Sequence, residues 1–117
     1  MKTRAKVKNV KEPPDVRGLR AEFGLSQATM ARLLDVSLRT LATLEAGQEG
    51  RPLPRNVQVV RRLLGGLSEV IRPKYLRNWL DEPNEEFAGL KPLEVIERGE
   101  VDRIWEMIYR VGSGEPA

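Results

Sequence analysis

The chain has 117 residues, of which 40% are apolar and 32% charged, and a net charge of +3. That is material for one domain or two very small ones, with a modest core. Cysteine and histidine are both absent. This excludes disulfides, thiolate metal sites, cysteine nucleophiles, most zinc sites and the usual general base of hydrolases, so the expectation is a non-enzymatic protein without metal or cofactor. No apolar run approaches the length of a membrane span. No apolar segment follows the basic N-terminus, as a secretory signal would require. A cytoplasmic location is therefore expected.

The charge is unevenly spread. Residues 1–62 carry 13 Lys/Arg against 6 Asp/Glu, and residues 63–117 carry 7 against 11. A basic half can neutralise phosphates. An acidic half is repelled by nucleic acid and suits a protein partner.

In chain order, residues 1–14 form a basic leader closed by Pro13-Pro14. Its Lys2, Arg4, Lys6, Lys8 and Lys11 fit a minor-groove arm, a soluble tail, or an arm packed on a sister subunit. Lys6 to Val10 alternates weakly, as a short strand would. Val16, Leu19 and Phe23 then mark one face of a short helix, capped by Asp15 and stopped at Gly24. Ser26 caps a second helix carrying Ala28, Met30, Ala31 and Leu34, which ends at Asp35-Val36. Ser37 caps a third helix with Leu41 and Leu44 inward, ended by Gly47. Pro54 suits the first turn of a fourth helix, with Val57, Val60 and Leu64 inward. Gly65-Gly66 is expected to break the chain there, giving domain limits of 15–64 and 67–114.

The second part is also helical. Tyr75, Leu76, Trp79 and Leu80 make an apolar stripe, with Trp79 and Trp105 expected as core anchors. Asn84 caps one or two turns ended by Gly89. Pro92 opens a helix with Leu93 and Ile96 inward and Gly99 as its cap. Val101, Ile104, Trp105, Ile108 and Val111 define a last helix, the most strongly periodic in the chain.

Residues 25–47 place two short helices about a three-residue turn. Ala31 is small where the helices cross, and Val36 plugs the turn. With Leu41 and Leu44 inward, Leu38, Arg39, Thr40 and Thr43 face outward. That suits a major-groove reader: Arg39 can grip guanine with two hydrogen bonds, and Leu38 or the Thr43 methyl can meet a thymine methyl. Arg51 and Arg55 are placed to clamp phosphates, and Arg61 and Arg62 follow them.

This stretch resembles the Xre/Cro-type helix-turn-helix over Asp15 to Leu64. The resemblance implies a phosphate contact at Gln27, base reading at Ser37, Leu38, Arg39 and Thr43, and a structural role for Glu45. Asp35 departs from the family's usual turn glycine, in a left-handed position that aspartate tolerates at some cost. The run from Trp79 to Gly114, through Pro83-Asn84, Phe87, Gly89, Pro92-Leu93, Gly99 and the final helix, resembles the toxin-binding domain of Xre/MbcA/ParS-type antitoxins. Together the two resemblances imply an all-α fold: a Cro/Xre-type helix-turn-helix bundle followed by a small helical toxin-binding and dimerisation domain.

The implied function is that of an antitoxin. Such proteins block a cognate RES-domain toxin that consumes NAD, and they repress their own operon by binding operator DNA as homodimers or toxin–antitoxin hetero-oligomers. Arg103, Glu106, Met107 and Arg110, expected off the apolar stripe, and the tail Gly112, Ser113 and Gly114 are the candidate toxin contacts. The alternative is a stand-alone repressor whose C-terminal half only dimerises. A carboxylate enzyme built on Asp81, Glu82, Glu85 and Glu86 is a weaker third reading, since that cluster is explained by solvation and helix N-terminal charge.

Overall fold

The computed structural model describes residues 15–47 and 55–114. Among these the fold is all-α, with no strand. The helices are α1 (Val16–Glu22), α2 (Gln27–Leu34), α3 (Leu38–Glu45), α4 (Arg55–Ser68), α5 (Pro73–Leu80), α6 (Pro92–Glu97) and α7 (Val101–Gly112). A 3-10 turn, Glu85–Phe87, links α5 to α6. The leader with its weak alternation, Arg51 and Pro54 lie outside the described residues.

Most local signals act as their chemistry requires; Asp15 precedes α1, but its side chain makes no capping bond. Ser26 and Ser37 cap α2 and α3, each accepting from the backbone N–H three residues on. Pro73 and Pro92 occupy the first turns of α5 and α6, where no intrahelical donor is lost. The Glu94 carboxylate accepts from the Lys91 N–H at 2.8 Å and fixes the start of α6. Asn84 accepts from the Glu86 N–H and starts the 3-10 turn.

One core runs through the whole described chain. Val16, Leu19 and Phe23 from α1 join Met30, Ala31, Leu33 and Leu34 from α2 and Leu41 and Leu44 from α3. It continues through Val57, Val60, Leu63, Leu64 and Leu67 on α4 into Leu76, Leu80, Phe87, Leu93, Val95, Ile104 and Ile108. Helix α2 packs on α3, α4 and α6, while α4 packs on α5 and α7. The N-terminal helices and the C-terminal helices are thus fastened together through α2 and α4.

The break expected at Gly65-Gly66 does not occur. Helix α4 continues through both glycines to Ser68, so the domain limit drawn there falls inside a helix. Gly66 is tolerated because its bare Cα lets the Trp105 indole lie against the helix. Glycine in a helix interior costs about 1 kcal/mol, and here it makes room for that ring.

Several inward assignments also shift. Tyr75 is 52% exposed, because α5 buries only Leu76 and Leu80. Trp79 and Trp105 are half-buried against the core rather than anchoring it. Ala28 and Val111 are exposed, and in α6 Val95 is buried more fully than Ile96. In α7 the buried face is Ile104, Met107 and Ile108, spaced i, i+3 and i+4. Met107, expected outside, is therefore a core residue.

Candidate nucleic-acid interface

The interface is built on two copies of one cap. Leu25-Ser26-Gln27-Ala28-Thr29-Met30 and Val36-Ser37-Leu38-Arg39-Thr40-Leu41 share an apolar–Ser–x–x–Thr–apolar pattern. In each, the serine hydroxyl accepts from the threonine N–H and donates to the threonine hydroxyl, at 3.0–3.1 Å. Such caps contribute about 1 kcal/mol each. Between the helices Asp35 adopts φ 58°, ψ 48°, the left-handed conformation expected of the position that replaces glycine. The Val36 N–H then donates to the Ala31 carbonyl at 3.0 Å. From α4, the Asn56 side-chain amide donates to the Leu34 carbonyl at 3.1 Å and closes the end of α2.

Helix α3 turns Leu41 and Leu44 inward and leaves Leu38, Arg39 and Thr40 exposed, with Thr43 half-buried. Leu38 is 56% exposed, an apolar side chain held out at the N-terminus of the helix. Arg39 has no ion pair among the described residues. The Thr43 hydroxyl donates to the Arg39 carbonyl at 3.2 Å, which spends its proton and leaves its methyl group and lone pairs. Ser37 is exposed, but its hydroxyl is engaged in the cap. The backbone of Arg55 opens α4.

Behind this face lies a polar brace. The Arg20 guanidinium donates through Nε and Nη2 to the two Glu45 carboxylate oxygens at 2.6 and 3.0 Å, and through Nη1 to the Leu25 carbonyl at 3.1 Å. The Gln27 amide donates to the same carboxylate at 3.1 Å. The Glu45 side chain is only 7% exposed, and the Arg20 guanidinium holds its carboxyl below the usual range despite that desolvation. The brace ties α1 to the C-terminal end of α3 and to the start of α2. It also orients Gln27, whose amide has a second N–H outside the brace. Glu45 was legible as a helix-end residue; Arg20 was not, because its partner lies 25 residues away.

At the other end of the molecule, the candidate protein contacts divide. Glu106, Gly112, Ser113 and Gly114 are exposed. Arg103 is half-buried, donating to Glu100 at 2.9 Å and lying 5.7 Å above the Phe87 ring. Arg110 pairs with Glu86. Met107 is 8% exposed and cannot offer a surface contact. Tyr109, which the periodicity did not single out, is 70% exposed. It lines a shallow hollow with Glu106, Arg110 and Ser113. Of the acidic cluster, Asp81 pairs with Lys91 at 3.3 Å and Glu86 with Arg110. Among the described residues no group of three or more acidic side chains is arranged to hold a metal.

Residues 16–70 match the helix-turn-helix family, so α1 to α4 form a helix-turn-helix domain, with α2 and α3 as its paired helices. Beyond that domain, the chain as a whole is similar in fold to a chain in the crystal structure of the M. tuberculosis MbcT–MbcA toxin–antitoxin complex. The TM-score is 0.72 at 24% sequence identity, and the match covers 88% of this chain and 95% of that one. A comparison with curated proteins finds no match. Among the described residues no helix is long and apolar enough to cross a membrane.

Proposed function

We propose that this protein is the antitoxin of a toxin–antitoxin pair and that it acts through two surfaces. The face of α3 binds operator DNA: Arg39 reads a base edge, Leu38, Thr40 and Thr43 shape the contact, and Gln27, Arg51 and Arg55 hold phosphates. The exposed end of α7, with Glu106, Tyr109, Arg110 and the tail Gly112 to Gly114, covers the active-site pocket of a cognate RES-domain toxin that consumes NAD. The protein works as a homodimer on its operator and as a hetero-oligomer with the toxin, in the cytoplasm, and catalyses nothing itself.

The observation that carries this reading is the extent of the shared fold, which takes in the C-terminal helices as well as the helix-turn-helix domain. A DNA-binding role needs only α1 to α4. The test is co-expression with the product of the neighbouring gene. Co-purification of the two proteins, rescue of growth, and a shift of the shared promoter fragment are expected. A neighbour that is harmless alone and does not co-purify would refute the antitoxin reading. A promoter shift in that case would leave the second reading, a stand-alone repressor, which the single continuous core favours because it gives the C-terminal helices a supporting role.

A further inference from the structure

Helices α4 and α7 lie side by side and run in the same direction. Val59 and Val101 line one cleft, Gly66 lies against Trp105 and Ile108, and Gly112 lies beside Val70. Between these helices runs a strip of apolar surface: Val59, 51% exposed, then Val101 and Trp105, both half-buried. The edges of the strip carry opposite charge. On α4 the flanking residue is Arg62, one turn beyond Val59; on α7 it is Asp102, beside Val101. Both are exposed and without ion pairs among the described residues.

We infer that this face is the interface with a second copy of the chain. A two-fold axis along the strip lays apolar surface on apolar surface and exchanges the edges. Arg62 of each copy then meets Asp102 of the other. The register fits as well. Gly66 lies against Trp105 and Ile108, and Val70 beside Gly112, so Arg62, one turn before Gly66, lies level with the turn of α7 that carries Asp102. An isologous interface makes every such pair twice. A helix-turn-helix of this size reads half of a two-fold operator and requires a second copy to read the rest. This inference rests on the proposed operator binding for its purpose, but not for its geometry.

The test is sedimentation of the full chain over a concentration series, with Arg62→Asp, Asp102→Arg, the double variant and Val59→Glu. The wild-type chain should dimerise. Each single charge reversal should weaken the dimer about tenfold or more, the double reversal should restore it, and Val59→Glu should yield a monomer with an unchanged circular dichroism spectrum. A monomeric wild-type chain, single reversals that leave the dimer intact, or a double variant that stays weak would each overturn the assignment. Binding of Val59→Glu to a half-site duplex separates this inference from the proposed function. Retained half-site binding with lost dimerisation supports both. Loss of DNA binding by the dimeric wild type would strike at the function and leave the interface standing.

Discussion

The Trp105 indole lies against Gly66 so closely that a methyl group on that glycine would stand 2.7 Å from Cζ3 and 2.9 Å from Cη2. A methyl group on its neighbour Gly65 would meet nothing within 4 Å outside its own helix. Two adjacent glycines in one helix therefore have different causes. Gly66 admits a ring from α7, while Gly65 has no packing reason that the described residues show.

Alanine at the two positions should have opposite effects. Gly65→Ala should stabilise the chain by about 0.5–1 kcal/mol, since it removes backbone freedom from a helix interior and meets no atom. Gly66→Ala gains the same propensity but forces the half-buried indole aside, and should lose about 1–2 kcal/mol overall. Urea midpoints of the two variants measure both signs. A Gly66→Ala protein as stable as Gly65→Ala would show that the helices do not approach as described.

Arg39→Ala should weaken specific operator binding by about 1–3 kcal/mol and relax preference at one base pair. Toxin capture should be unchanged, since α3 and the end of α7 are separate surfaces. Binding isotherms on operator and scrambled duplexes, beside a pull-down with toxin, give the two readouts. Parallel loss of both would contradict a division of labour between the surfaces.

The brace behind α3 makes stability depend on pH. Hydrogen bonding and charge from Arg20, with a further bond from Gln27, lower the Glu45 carboxyl below its ordinary value in the folded chain. Its contribution is therefore fully present above the unfolded-state value of about 4.3, and it is lost as pH falls through the lower folded-state value. Glu45→Ala should cost about 2–4 kcal/mol at neutral pH, because it leaves Arg20 unpaired behind α3. Wild type and Glu45→Gln should then converge in stability as the solution is acidified. Arg32 and Glu97, joined by two bonds of 2.7 Å, lower Glu97 in the same direction. Both are more than a third exposed, and water screens them. Glu97→Ala should cost less than about 1 kcal/mol.

Two neighbours on α7 separate packing from recognition. Met107→Ala should destabilise the chain by about 2–4 kcal/mol through the cavity it leaves. Tyr109→Ala should change stability by no more than about 0.5 kcal/mol while reducing capture of the toxin. Thermal melts and a titration with purified toxin distinguish them. A stable Met107→Ala protein deficient only in toxin binding would return that side chain to the surface.

The helices and most of their limits were determined by the sequence alone. Serine caps, prolines in first turns and glycines past helix ends act within a few residues, through bonds the chain makes with itself. The left-handed turn at Asp35 and the outward face of α3 belong to the same class, since a short amphipathic helix has one way to bury Leu41 and Leu44. The continuity of α4 was decided only in three dimensions, because a glycine pair signals a break until another element supplies a reason for it, here Trp105 from 39 residues away. So was the choice of Met107 over Trp105 for the interior: spacing allowed a broad apolar stripe, and the neighbours α4 and α6 determined which part of it was covered. The Arg20–Glu45 and Arg32–Glu97 pairs likewise join positions far apart in the chain, where charge pattern alone cannot select a partner.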